Sequence, residues 1–160
     1  MPLYFAYGSN MDRSAMAMRC PRASALGPAR LMRHRLDLTR EGWLTVIRDP
    51  QKAVHGILWD LSLSDMPALD RYEGVAAGLY VKAIQPIIAA GRARRALIYI
   101  GAHSGPGIAP IEYIESVIAA ARQSGLPVAA IEALRRFLPQ ADAGASGRAR
   151  TRLASPLERN

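Results

Sequence analysis

The sequence predicts an α+β protein, a mixed or antiparallel β-sheet flanked by α-helices. Two observations carry that expectation. Strand-like segments rich in β-branched and aromatic residues outnumber helices between residues 29 and 100, and segments of helical composition flank them on both sides.

Residues 3–7 (LYFAY) form a short apolar run that stops at Gly8-Ser9-Asn10, so they read as a strand entering a turn. Residues 11–19 have helix-forming composition, with Asn10 or Asp12 placed to cap the start and Pro21 to interrupt the end. Residues 29–38, 44–47 and 54–61 read as three strands. The last carries apolar groups on both sides and is expected deep in the sheet. Residues 62–72 read as a short helix with Ser64 as N-cap, Pro67 in the first turn and Gly74 at the end. Residues 79–90 and 95–100 read as two further strands joined near Gly91. After a Gly- and Pro-rich loop at 101–110, the spacing of Ile111, Ile114, Val117, Ile118 and Ala121 predicts an amphipathic helix over 111–124, stopped by Gly125. Residues 128–138 repeat the pattern. From Gln140 the composition turns to Ala, Gly, Ser and Arg. The expected organisation is one domain, residues 1–139, followed by an Ala/Gly/Arg-rich flexible tail, residues 140–160.

Composition narrows the function classes. With 160 residues, 50% of them hydrophobic and 21% charged, the chain can bury a working core and is not a disordered segment. No apolar run reaches the roughly 18 residues of a membrane span. The opening MPLYFAYGSNM lacks the basic lead and long apolar stretch of a signal peptide, so no membrane partner and a cytoplasmic location are expected. Cys20 is the only cysteine, which rules out an internal disulfide or a thiolate metal cluster. His34, His55 and His103 lack the i, i+4 spacing of paired zinc ligands. The net charge of +8 raises nucleic acid as a partner. Against it, the arginines are spread thinly, aromatics do not interleave with them, and no recognition motif is present. A basic surface also steers small anionic substrates. The expectation is therefore no nucleic acid, and oligomeric state is not readable, although the apolar helices are compatible with a homodimer.

Two stretches carry more than a core. In Tyr7-Gly8-Ser9-Asn10-Met11, a strand ends in small and polar residues just before a helix. Such a turn aims several free backbone N–H groups in one direction and can hold a carboxylate or phosphate without a basic side chain. An ordinary turn with Asn10 as helix cap is the plainer reading of the same residues. In Leu69-Asp70-Arg71-Tyr72-Glu73-Gly74-Val75, Glu73 falls where the helix ends, at the end of the dipole that repels a carboxylate. Such a local violation marks function, and a solvent-facing Glu73 on a charged helix is the alternative.

Taken together the stretches resemble the γ-glutamylcyclotransferase-like superfamily, AIG2-like proteins included. Its members run a strand into a Y-G-S-N-[LM] loop, continue through an apolar G-[IV]-[LV]-W strand, then show L-D-x-x-E-G-V with a Tyr seven residues after the Glu. The matching residues are Tyr7 to Met11, Gly56 to Trp59, Leu69 to Val75, and Tyr80. The likeness continues through Tyr99, Pro110-Ile111-Glu112-Tyr113 and Gly125-Leu126-Pro127, and so spans roughly residues 3–138 in order. The resemblance implies a β-barrel-like sheet flanked by helices and an enzyme that needs no metal or coenzyme. The substrate would be a small γ-glutamyl peptide or amine, cyclised to 5-oxoproline as in glutathione metabolism. It further implies that Tyr7, Gly8, Ser9, Asn10 and Met11 hold the glutamyl end, that Glu73 is the catalytic carboxylate, and that Tyr80 lines the pocket and orients Glu73 or the substrate. The identity of the leaving amine is not written in any cluster, and the loop at 101–110, with His103, is the place expected to set it. A related enzyme removing a protecting γ-glutamyl group, or a small-ligand binding or regulatory module that kept the pocket without turnover, are the competing readings.

Overall fold

The computed structural model describes residues 2–140, so residues 141–160 of the expected tail lie outside the described residues. The fold class is as expected. A first strand, β1 (Leu3–Ala6), leads through a short 3-10 helix (Ser9–Met11) into α1 (Arg13–Arg19). Two long strands follow, β2 (Ser24–Leu38) and β3 (Leu44–Asp60), then a 3-10 helix (Leu63–Asp65) and α2 (Met66–Tyr72). The hairpin β4 (Tyr80–Ala89) and β5 (Arg92–Gly101) precedes α3 (Ile111–Gln123) and α4 (Val128–Arg135). The strands close into a barrel in the order β1-β3-β2-β4-β5. All pairings are antiparallel except β1 with β5, which run parallel through Tyr4 and Leu97. Closure removes the exposed edges of an open sheet.

Local chemistry explains the departures from the sequence reading. The separate strands expected at 44–47 and 54–61 are one strand, because Asp49-Pro50 lies in a bulge rather than a break. The register jumps there from Met32↔Ala53 to His34↔Arg48, and Arg33 opposite takes a φ of 59°. A proline inside a bulge leaves no ladder bond unmade. β2 begins five residues earlier than expected, past a second bulge at Ala25/Gly27 where Gly27 takes a φ of 116°. The first helix is capped by Asp12, whose Oδ1 accepts the Ala15 N–H at 3.0 Å, and not by Asn10. Ser62, rather than Ser64, caps the turn before α2. The β4–β5 turn is two residues, Ala90 and Gly91, both with positive φ, the geometry that matches the twist of a hairpin.

Phe5, Leu31, Ile57, Leu58 and Ile98 are fully buried in the core, and α3 covers it with Ile114, Val117, Ile118 and Ala121. Ile111, at the head of α3, stays 45% exposed and is not part of that stripe. Gly56 lets β3 cross β1 closely: a Cβ there would run into the Ala6 carbonyl oxygen and come within 2.8 Å of the Phe5 ring. The ends of β1 and β5 and the starts of β3 and β4 meet at one rim of the barrel, where Tyr7 donates to the Tyr99 carbonyl, Tyr80 to the Leu44 carbonyl and the Gly101 N–H to Thr45 Oγ1. No helix among the described residues is long and apolar enough to cross a membrane.

Candidate active site

At that rim Tyr4, Tyr7, Gly8, Ser9, Asn10, Leu44, Glu73, Tyr80, Tyr99 and Tyr113 line a narrow recess. The chain delivers them from six places, which explains why no continuous stretch of sequence announces the whole set. After β1 the backbone folds into the 3-10 helix, with the Met11 N–H donating to the Gly8 carbonyl at 3.0 Å. One turn of helix leaves its leading N–H groups without carbonyl partners behind them. Gly8, Ser9 and Asn10 of this turn line the recess, while the α1 terminus behind is already closed by Asp12.

Glu73 ends α2. Its N–H donates to the Leu69 carbonyl at 3.0 Å, and Gly74, with a φ of 66°, turns the chain toward β4. The side chain points back at the first loop, where Asn10 Nδ2 donates to Oε1 at 3.0 Å. Burial raises the carboxyl from the ordinary glutamate value to about 7, against the downward pull of the Arg19 guanidinium, the Asn10 amide and the Tyr4 hydroxyl. Burial penalises the charged form, so at neutral pH this group can both accept and return a proton.

The phenols around it are held in place by the protein. Tyr7 donates to the Tyr99 carbonyl, Tyr80 to the Leu44 carbonyl at 2.6 Å, and Tyr99 to Asp70 Oδ1 at 2.6 Å. Tyr113 accepts the Leu44 N–H at 3.2 Å, and its ring meets Trp43 edge-on. Burial raises the pKa of Tyr4, Tyr7, Tyr80, Tyr99 and Tyr113, and the Glu73 charge adds to it. These phenols are therefore neutral shape and hydrogen bonds, not acids working near pH 7. Burial alone would raise the Asp70 carboxyl, but hydrogen bonds from Tyr99 and Lys82, and the Lys82 charge at 2.9 Å, hold it below the ordinary aspartate value.

Of the residues singled out from sequence, Tyr7, Gly8, Ser9, Asn10, Glu73 and Tyr80 come together in this recess. Met11 does not: the turn points it into the core, where it is 1% exposed. Tyr80 lines the recess, but its hydroxyl is committed to Leu44, and Glu73 is held by the Asn10 amide and the Tyr4 hydroxyl instead. His103 lies outside the lining, in the loop whose His103 carbonyl accepts the Arg40 N–H. Sequence reasoning missed Tyr4, Leu44 and the pair Arg19–Tyr72, and it gave Tyr99 and Tyr113 a place in the family likeness but none in the site. A polar-tipped Tyr4 within a four-residue apolar strand was an available signal. Arg19 offered none, since an arginine in the last turn of a helix reads as a complement to the dipole.

A larger cavity, about 460 Å³, lies between α4 and the bend of β2 and β3. Leu36, Val54, Leu134 and Phe137 form its apolar side, Lys52 and Arg136 lie at its surface, and Tyr7 borders both this cavity and the recess. Among the described residues no three His, Cys, Asp or Glu side chains converge as metal ligands.

Residues 4–115 match the family model described as γ-glutamyl cyclotransferase, AIG2-like. The γ-glutamylcyclotransferase of Homo sapiens is 30% identical over 151 residues, covering 86% of this chain and 79% of the human one. That of Mus musculus is 29% identical over 148 residues, with the same coverage. A solved structure of a γ-glutamyl cyclotransferase superposes with a TM-score of 0.81 at 27% identity, covering 89% of this chain and 91% of the other.

Proposed function

The chain belongs to the γ-glutamyl cyclotransferase, AIG2-like family and is an enzyme of that type, and from that premise we propose that Glu73 is its single acid–base catalyst. The substrate in this reading is a small γ-glutamyl compound whose glutamyl end sits in the turn of Gly8, Ser9 and Asn10. Its α-amine is mostly an ammonium ion at neutral pH and cannot attack until it loses a proton. Glu73 takes that proton. The freed amine nitrogen then bonds to the γ-carbonyl carbon of the same molecule, closing a five-membered lactam. The bond to the departing nitrogen breaks and the proton on Glu73 goes to that nitrogen; the ring nitrogen gives up its second hydrogen through the same carboxylate, and the departing amine takes it up to leave as an ammonium ion. The products are 5-oxoproline and a free amine, with no water consumed. Attack within one molecule needs no second reactant, so holding the bent conformer supplies much of the acceleration. A carboxyl poised near the working pH supplies the rest.

The observation that carries this reading is Glu73 itself, a half-buried carboxyl that desolvation pushes up to about 7, with an amide donor on one oxygen, facing the turn across a recess of neutral phenols. The leaving amine in this reading passes the rim at Trp43 and Tyr113, beside the loop at 101–110. A cytoplasmic workplace and γ-glutamyl peptides of glutathione origin belong to the same proposal, the lone buried Cys20 being consistent with a reducing compartment.

The test is release of 5-oxoproline by the purified protein from γ-glutamyl dipeptides, γ-glutamyl-ε-lysine and glutathione, with Glu73→Gln beside it. Release confined to the unsubstituted protein supports the assignment, and the preferred substrate identifies the leaving amine. Normal release by Glu73→Gln removes Glu73 from the mechanism.

A further inference from the structure

We infer that Arg19 is a positioning residue: it locks the Asn10 amide in the one orientation that donates to Glu73, and so sets the pH at which Glu73 becomes a base. The inference rests on the acid–base reading of Glu73.

The argument begins with donors and acceptors. Arg19 Nη1 lies 2.6 Å from Asn10 Oδ1, and a guanidinium can only donate. The amide oxygen must therefore face Arg19, which leaves Nδ2 facing inward. Its two hydrogens are both used, one on the Tyr4 hydroxyl at 3.1 Å and one on Glu73 Oε1 at 3.0 Å. Without Arg19 the amide is free to turn over. Its oxygen would then face the carboxylate, two acceptors in contact, an arrangement relieved only when Glu73 keeps a proton.

Arg19 is itself fixed from outside. Its guanidinium carbon sits 3.5 Å from the centroid of the Tyr72 ring, and the Tyr72 hydroxyl lies 2.8 Å from Ser9 Oγ. α1, α2 and the 3-10 helix are thus tied together over the mouth of the recess by one stacked cation and one hydroxyl pair. The groups that face Glu73 are Arg19 from α1, Tyr4 from β1, Tyr7 beyond it, Tyr80 from β4, Tyr99 from β5 and Tyr113 from α3. Arg19 is the cation among them, and the Asp70–Lys82 pair beside Tyr99 offsets its own charge. Loss of the guanidinium charge and loss of the amide orientation push Glu73 the same way, toward a higher pKa.

The experiment follows the Glu73 side-chain carboxyl by carbon NMR in protein labelled at glutamate Cδ, without substrate, using Glu73→Gln to assign the signal. The same variants give the pH profile of kcat/KM. The carboxyl of the unsubstituted protein should titrate at about 7. In Arg19→Met its titration, and with it the acid limb of kcat/KM, should move up by about one unit or more, as expected on removing a nearby opposite charge. Activity near pH 6 should then fall by about tenfold, with much of it recovered on the alkaline side. Arg19→Lys, which keeps charge and a donor, should restore most of the shift. A carboxyl titration unmoved in folded Arg19→Met overturns the inference. A carboxyl that moves while the acid limb stays put supports the Arg19 role and instead removes Glu73 as the base. Should Arg19→Met not fold, Tyr72→Leu, which unseats the guanidinium at the exposed end of α2, must still give a smaller upward shift, and none there overturns the inference equally.

Discussion

The narrow recess at the barrel rim and the larger cavity beneath α4 share a wall at Tyr7 and differ in everything that matters for chemistry. The larger one, about 460 Å³, offers Arg35, Lys52 and Arg136 as exposed charges, and Arg35 finds Asp49 and Asp37 only at 3.7 and 3.9 Å. His55, its half-buried titratable group, is pushed by burial and by Arg30 toward the neutral form. The recess is smaller but places a carboxyl where burial, one cation, one amide and one phenol act on it together. Room for a ligand and the ability to move a proton are therefore separate properties, and the second needs a charge held out of water by fixed partners.

The comparison is sharpest when each region is substituted alone. Glu73→Gln should lower kcat by about 10²-fold or more, as loss of acid–base catalysis does, measured as 5-oxoproline release at pH 7.5. The same variant should be more stable than the unsubstituted protein at alkaline pH. The folded pKa of about 7 lies above the ordinary value of 4.5, so folding is favoured while Glu73 stays protonated. That contribution is complete below pH 4.5 and lost as pH rises through 7. Glutamine mimics the protonated form, and thermal or urea unfolding should find it more stable by on the order of 3 kcal/mol at pH 8 and equal near pH 4.5.

Smaller effects separate lining from chemistry. Tyr80→Phe strands the buried Leu44 carbonyl and should cost about 1–3 kcal/mol in urea unfolding, with kcat kept within about threefold because the hydroxyl does not reach Glu73. A collapse of kcat in folded Tyr80→Phe would show that the phenol acts on the reaction after all. Ala133→Leu, on the α4 side of the larger cavity, should leave kcat/KM within about twofold and change stability by about 1 kcal/mol or less. A large loss of turnover there would mean that the two regions work as one.

Much of this was legible beforehand, for identifiable reasons. The hairpin at Ala90-Gly91 and the stripe of α3 are local, so periodicity and turn chemistry reveal them. Tyr7 to Asn10 and Glu73 stood out because each breaks a local habit, a strand stopped by three turn residues and a carboxylate at a helix C-terminus. The continuity of β3 was not legible, because Asp49-Pro50 looks like a terminator until the facing bulge at Arg33 is known. The bond between Asn10 and Arg19 spans nine residues and two elements, and its meaning depends on Glu73, another 54 positions on. Pairings of that kind exist only once the barrel has closed.

The ring of phenols has an optical consequence. Five of the six tyrosines have ionisation pushed upward by burial, so their ultraviolet spectrum should stay that of the un-ionised ring when the solution is made alkaline. Above about pH 10 the unfolded chain releases protons that the folded one keeps, and each such phenol weakens folding by about 1.4 kcal/mol per further pH unit. The phenolate absorbance band should therefore rise in one abrupt step as the barrel opens, giving the protein a dye-free colour change whose chromophores are the walls of its own recess.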